Sequence, residues 1–138
     1  GGHLWAVDVS YPVPETPGGV NLLDPQGGLT VLPHWNFILG DGKSPFVLDM
    51  LPDEVDILFI DTNHVHEEVL EELEVLSPKV RSGGRILLHD TDIEDTGNRG
   101  DRPKTPYPVR TAVEEFCKKH QVTATFIEGC NGLGIIWM

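Results

Sequence analysis

Carboxylate and imidazole side chains follow two apolar runs of the chain, at the point where each run ends. Asp61 and His64 come directly after the run 55–60, while His89 and Asp90 close the next run. If the two runs are neighbouring strands of an α/β sheet, these groups meet at the edge where such sheets bind ligands. They could hold a divalent cation, or His64 could act as a general base near neutral pH. The alternative is that the aspartates cap helices and the histidines are solvated. Six such groups at two strand ends favour a functional site: Asp61, His64, His66, His89, Asp90 and Asp92.

A second pair of acids, Asp8 and Asp41, stands at the ends of two shorter apolar runs. An acid in this position can accept hydrogen bonds from a ribose or an adenine amine, as in dinucleotide sites. An acid at a strand end is more often a turn former, so neither residue alone identifies a ligand.

The elements that must position these residues alternate along the chain. Helices are predicted after Asn63, a candidate cap, and from Pro108, while Asn131-Gly132 predicts a terminal hairpin. The Pro- and Gly-rich segment 10–33 predicts a long loop. Four nearly continuous apolar runs predict strands: 4–9, 36–39, 55–60 and 85–88. This order predicts a single α/β domain over 1–138, with a mainly parallel sheet, helices on both faces and an antiparallel C-terminal hairpin.

Composition narrows the classes of function. A net charge of −12 disfavours a nucleic-acid partner, because phosphate binding needs clustered Lys and Arg. No run approaches the roughly 18 apolar residues of a membrane-spanning helix, and no signal-peptide pattern opens the chain. Two cysteines are too few for a disulfide framework, which predicts a reduced, cytoplasmic location. Neither a Walker phosphate loop nor a Gly-x-Ser-x-Gly elbow is present.

Three segments, in order, resemble class I S-adenosylmethionine-dependent methyltransferases, especially small-molecule O-methyltransferases of the macrolide-sugar and cephalosporin-hydroxylase-like type. They are Leu-Phe-Ile-Asp-Thr-Asn-His-Val-His-Glu at 58–67, Ser-Gly-Gly-Arg-Ile-Leu-Leu-His-Asp-Thr at 82–91, and Pro-Val-Arg-Thr-Ala-Val-Glu-Glu-Phe at 108–116. The resemblance implies a Rossmann-like methyltransferase fold with S-adenosylmethionine as cofactor. It also implies that Asp8 binds the cofactor ribose and that Asp41 approaches the adenine.

The resemblance further assigns roles at the two later strand ends. Asp61 and Asp90 match the metal-ligand positions of metal-dependent members, and His64 matches their catalytic base. His89 stands where the sugar enzymes carry an acid, and an imidazole ligand would shift preference from Mg²⁺ toward softer ions. The implied reaction is removal of a hydroxyl proton from a small substrate by His64, with Mg²⁺ positioning the oxygen, and attack on the sulfonium methyl.

The family's first strand and Gly-rich cofactor loop would precede Gly1, so the resemblance implies an amino-terminally truncated fold. Two strand edges would then be unpaired. Because unpaired edges can pair with another chain, a homo-oligomer is one expectation. Two alternatives to an O-methyltransferase therefore stand beside it. One is a non-catalytic domain of this fold used for assembly. The other is a metal-dependent hydrolase that uses Asp61, His64, His89 and Asp90.

Overall fold

The computed structural model of the chain describes residues 2–9, 34–94 and 105–138. The chain forms two compact units, Gly1–Leu51 and Pro52–Met138. The single domain over 1–138 stays a prediction. The long loop expected over 10–33 lies outside the described residues.

The first unit contains a parallel pair of strands and a short helix. Strand β1 (Leu4–Asp8) pairs with β2 (Trp35–Leu39) in a register that joins Leu4 to Trp35 and Asp8 to Leu39. Helix α1 (Pro45–Met50) follows, and the Ser44 side chain caps it by accepting a hydrogen bond from the Val47 amide at 3.3 Å. A proline at its first position suits the start of a helix, where an N–H has no partner.

The second unit is built on a four-stranded sheet. Its strands are β3 (Val55–Ile60), β4 (Val80–His89), β5 (Thr123–Ile127) and β6 (Leu133–Trp137), and its helices are α2 (His66–Leu76) and α3 (Pro108–His120). The strand order is β3-β4-β6-β5, with β3 parallel to β4 and β6 antiparallel to both of its neighbours. Alternating strands and helices confirm the predicted α/β class. The described pairs make the architecture mixed, because β1–β2 and β3–β4 are parallel and the other two pairs are antiparallel.

The core of the second unit lies between this sheet and its two helices. Leu73 of α2 and Phe116 of α3 are fully buried against Ile86, Leu88 and Ile136 of the sheet. Val69 and Leu73, four residues apart on α2, therefore form an apolar stripe that faces the core.

The opposite face of β3 differs from the prediction of helices on both faces. Ile57 and Phe59 alternate with the inward-facing Leu58 and Ile60, and they are 61% and 55% exposed. Within the described part of this unit, both helices lie on one side of the sheet.

Two local predictions are corrected. Asn63 is not the cap of α2, which begins after Val65; its side chain instead accepts a hydrogen bond from the Val65 amide at 3.2 Å. The strand predicted over 85–88 begins earlier, at Val80, and the Ser82-Gly83-Gly84 segment lies within β4, where its register with β3 shifts. A Cβ at Gly84 would lie within 2.9 Å of the backbone oxygens of Arg81 and Asp56, so only glycine fits where β4 passes β3 at this irregularity.

Among the described residues, no helix is long and apolar enough to cross a membrane.

Candidate functional site

The carboxyl ends of β3 and β4 bring four of the six predicted groups together. Because these strands are parallel with Ile60 beside Leu88, the residues that follow them, Asp61 and His89, emerge side by side. Ligand atoms of Asp61, His64 and Asp90 all lie within 4.8 Å of one another. The predicted cluster is therefore formed at the edge of the sheet that the sequence indicated.

Asp90 is the centre of this cluster. One of its carboxylate oxygens, Oδ2, lies 2.7 Å from Nε2 of His64, and the other, Oδ1, lies 2.9 Å from Nδ1 of His89. The same His89 nitrogen is 3.7 Å from Oδ1 of Asp61. Asp90 is only 7% exposed, whereas Asp61 reaches the surface. The buried carboxylate is thus flanked by two imidazoles.

The donor set fits a divalent cation. Oδ1 of Asp90 is buried and accepts no hydrogen bond from any described residue, since His89 approaches it without hydrogen-bond geometry. A buried acceptor without a donor is costly, and a cation would satisfy it. Two carboxylates with an imidazole suit Mn²⁺, Fe²⁺ or Zn²⁺ better than Mg²⁺, which prefers oxygen ligands alone.

The third ligand has two candidates. The sequence predicted His89 as a ligand and His64 as a base, whereas the atoms that lie closest together belong to Asp61, His64 and Asp90. Both imidazoles border the site, and both roles stay predictions.

The other two predicted groups face α3 instead. Nε2 of His66 lies 3.2 Å from the Glu115 carboxylate, and Asp92 accepts a hydrogen bond from Nη2 of Arg110 at 3.1 Å. These pairs join the first residue of α2 and the turn after β4 to α3, and neither His66 nor Asp92 contributes a ligand atom to the cluster. Nothing in the spacing of His66 or Asp92 distinguished them from the clustered residues, because their partners are remote in sequence.

Asp8 and Asp41 lie in the first unit, at the carboxyl ends of its two parallel strands. Asp8 is exposed at the end of β1, and its backbone oxygen accepts a hydrogen bond from the Gly40 amide at 2.8 Å. Oδ1 of Asp41 accepts a hydrogen bond from the Lys43 amide at 2.9 Å, which is the geometry of a turn-forming acid. The structure brings the two acids to one sheet edge, and their cofactor roles stay predictions.

Sequence reasoning missed three residues that border the cluster: Thr91, Arg110 and Gly132. Thr91 is completely buried, Arg110 contacts Asp92, and Gly132 packs on both Thr91 and Asp92. The one available signal was Asn131-Gly132, which predicted the hairpin but not the surface that it packs against.

Solved structures share this fold. A protein from Corynebacterium glutamicum matches with a TM-score of 0.56 and 17% identity over 75% of this chain and 47% of its own. A Staphylococcus aureus protein assigned as a caffeoyl-CoA O-methyltransferase matches with a TM-score of 0.55 and 19% identity over 75% of this chain and 51% of its own. A Clostridium thermocellum protein assigned as an rRNA methylase matches with a TM-score of 0.60 and 15% identity over 99% of this chain and 72% of its own.

The chain spans about half the length of the first two of these proteins. At such identities the likeness shows the fold, which is the Rossmann-like methyltransferase fold. No curated protein matches the sequence. The sequence model of a family described as a methyltransferase domain matches residues 21–91, just over half of the chain. The chain therefore belongs to the class I S-adenosylmethionine-dependent methyltransferase family.

Proposed function

We propose that the chain is the domain of an S-adenosylmethionine-dependent O-methyltransferase that acts on a small hydroxylated molecule with the help of a divalent cation. The observation that carries this proposal is the cluster of Asp61, His64, His89 and Asp90 at the ends of β3 and β4, with a buried Asp90 oxygen that lacks a donor among the described residues. Membership of the family supports S-adenosylmethionine as the methyl donor. The cluster supports a hydroxyl group as the methyl acceptor.

The residues of the cluster would have different roles. Asp61 and Asp90 would hold the cation, with one imidazole as a third ligand. When bound, the cation would lower the pKa of the substrate hydroxyl and hold its oxygen in line with the methyl group.

His64 can receive the proton of the substrate hydroxyl. Its Nε2 is 2.7 Å from Oδ2 of Asp90, a hydrogen-bond distance that favours the neutral tautomer with its proton on Nε2. Nδ1 then carries the lone pair and is the atom that would accept the hydroxyl proton. Asp90 would stabilise the imidazolium that forms.

Asp8 and Asp41 are the proposed cofactor contacts. They lie at neighbouring strand ends of the first unit, where an acid can accept hydrogen bonds from ribose hydroxyls or an adenine amine.

A small acceptor is favoured over a nucleic acid. The Clostridium thermocellum protein is assigned as an rRNA methylase, but this chain has a net charge of −12, which would repel a phosphate backbone.

The first experiment is a calorimetric titration of S-adenosylmethionine into the chain, with and without Mn²⁺, followed by a titration of Mn²⁺ alone. We expect saturable binding of both, loss of cofactor binding in Asp8→Asn, and loss of Mn²⁺ binding in the double variant Asp61→Asn, Asp90→Asn. Asp53→Asn is the matched control, since Asp53 is an exposed acid that precedes β3, at the end away from the cluster. Unchanged Mn²⁺ affinity in the double variant would overturn the metal assignment.

The non-catalytic alternative is favoured by one observation, the exposure of Ile57 and Phe59 on β3, which suits a surface used for assembly. Failure of the chain to bind S-adenosylmethionine in this titration would support that alternative over the enzyme. Phosphatase or esterase activity with added Mn²⁺ or Zn²⁺ would support the hydrolase instead.

A further inference from the structure

Asp90 sits in a conformation that its surroundings must hold in place. Its φ is 63°, in the left-handed region that few residues other than glycine adopt. The Ile93 amide donates a hydrogen bond to the Asp90 backbone oxygen at 3.2 Å, so Asp90 opens a tight turn over 90–93. A strained turn of this kind persists only where neighbouring structure fixes it.

The turn between β5 and β6 supplies that neighbouring structure. The Asp92 amide donates a hydrogen bond to the Asn131 backbone oxygen at 2.7 Å. A Cβ added to Gly132 would lie 2.5 Å from Oγ1 of Thr91 and 2.7 Å from the backbone nitrogen of Asp92. The hairpin therefore touches the two residues after Asp90 at a distance that admits no side chain.

Helix α3 and strand β5 hold the same turn through Arg110. Its Nη2 donates to Oδ1 of Asp92 at 3.1 Å, and its guanidinium lies 4.4 Å above the ring of Phe126. A guanidinium that stacks on a ring while it binds a carboxylate is fixed in orientation. Asp92 is thus bonded both to the hairpin and to Arg110.

We propose that Gly132 is a positioning residue for the site: its lack of a side chain lets the β5–β6 turn press on Thr91 and Asp92 and so sets the place of the Asp90 carboxylate. Gly132 supplies no ligand atom and acts only through this contact. The consequence for metal binding rests on the proposed function, whereas the positioning itself does not.

The test compares two glycines of one turn in the 138-residue chain. Gly132→Ala and Gly129→Ala both place alanine at a positive φ, 87° and 97°, so both carry similar backbone strain. No atom of the described residues lies within 4 Å of a Cβ at Gly129, whereas a Cβ at Gly132 meets Thr91 and Asp92. Only Gly132→Ala should therefore disturb Asp90.

Two readouts are needed. In the metal-free protein at one fixed pH, the carboxyl ¹³C signal of Asp90 and the ring ¹⁵N signals of His64 should move in Gly132→Ala and stay in place in Gly129→Ala. For Mn²⁺ binding, we expect Gly132→Ala to weaken affinity about tenfold or more, as loss of outer-shell support does in metal sites, and Gly129→Ala to leave it unchanged.

Arg110→Gln is the second variant, in case Gly132→Ala does not fold, because it releases Asp92 without overpacking. It should also move the same NMR signals, though less. The proposal is overturned if the Asp90 and His64 signals in Gly132→Ala, or in Arg110→Gln where it replaces it, match those of Gly129→Ala. Absence of Mn²⁺ binding in the unmodified chain would overturn the metal part of the proposed function alone, since the metal-free spectra still decide the positioning.

Discussion

At the scale of single residues, Asp90 links the two histidines of the candidate site to the β5–β6 hairpin. Its carboxylate is flanked by His64 and His89, and its backbone opens the turn on which the β5–β6 hairpin packs. One oxygen of this buried carboxylate has no donor in the part of the chain that the structure describes, and a buried acceptor without a partner is unfavourable. The cation proposed for this site would satisfy that oxygen.

The two imidazoles can be assigned by separate substitutions. If His89 is the third ligand and His64 the base, His89→Ala should weaken Mn²⁺ binding more than His64→Ala does. His64→Ala should itself cost about tenfold or more, because His64 is hydrogen-bonded to the ligand Asp90. His64→Ala should instead lower kcat of a competent methyl-transfer reaction by about 10²- to 10⁴-fold. Calorimetry with Mn²⁺ and initial-rate kinetics at saturating metal separate the two roles. The reverse pattern of metal affinities would make His64 the ligand.

Thr91 offers a test of stability at the same scale. Its side chain is completely buried, and Oγ1 has no hydrogen-bond partner among the described residues. Thr91→Val keeps the shape and removes the unpaired hydroxyl, so the free energy of unfolding should stay the same or rise by about 1 kcal/mol. Urea denaturation measures this, with the exposed Thr123→Val as control. A clear loss of stability in Thr91→Val would mean that the hydroxyl has a polar partner.

At the scale of elements, α2 and α3 are joined by a buried apolar contact and by charged pairs along its edge. Leu73 and Phe116 are fully buried between the helices and the sheet. Glu74 of α2 accepts hydrogen bonds from Lys119 at 2.9 Å and lies 3.0 Å from Nε2 of His120. The apolar contact supplies most of the stability, because exposed ion pairs contribute less than about 1 kcal/mol each.

Truncation of Leu73 measures how much the apolar contact of α2 contributes to stability. Leu73→Ala leaves a cavity in the core and should lower the free energy of unfolding by about 2–5 kcal/mol. Chemical denaturation followed by circular dichroism gives the value, and Glu114→Ala on the exposed side of α3 is the control. A loss below about 1 kcal/mol would show that α2 is not held by this contact.

The contribution of the charged pairs of Glu74 to stability depends on pH in a defined way. The hydrogen bond from His120, and then that from Lys119, hold the pKa of Glu74 below its ordinary value of 4.5. Its stabilising contribution is therefore present above pH 4.5 and is lost as the pH falls through the lowered pKa of the folded state.

Glu74→Gln removes that contribution. The unmodified chain should be more stable than Glu74→Gln above pH 4.5, by less than about 1 kcal/mol after solvent screening, and the difference should shrink as the pH falls further. Thermal unfolding of both chains across this range is the measurement. A difference that does not change with pH would contradict the assigned cause.

At the scale of the whole molecule, the proposed chemistry is divided between two compact units. Asp8 and Asp41 lie in Gly1–Leu51, whereas the four clustered residues and the main core lie in Pro52–Met138. Each unit has its own strands, and the described elements that position Asp90 belong to the second.

We expect the fragment 52–138 to fold and to bind Mn²⁺ with nearly the affinity of the whole chain, but not to bind S-adenosylmethionine, because it lacks both proposed cofactor acids. Circular dichroism, Mn²⁺ titration and cofactor titration test this on one preparation. The division of roles would be wrong if the fragment bound the cofactor. Loss of the metal from a folded fragment would show that the first unit supports the cluster.

Sequence by itself determined the features that depend on neighbours along the chain. The period of apolar residues fixed β3, α2 and α3, and the Asn131-Gly132 pair indicated the hairpin, because local backbone preference and a buried face are encoded within each element. The position of Asp61 and Asp90 at the ends of two parallel strands followed from the same reasoning. So did the family and its fold, which the comparisons confirm.

Only the tertiary structure decided which of the six clustered groups face one another. His66 and Asp92 turn to partners on α3, and Gly132 packs on Thr91 from about forty residues away. The tertiary structure also placed the two described helices of the second unit on one face of the sheet. The apolar runs of the sequence were equally compatible with helices on both faces. Contacts between residues distant in sequence depend on packing and on chain crossing, and no local pattern records them.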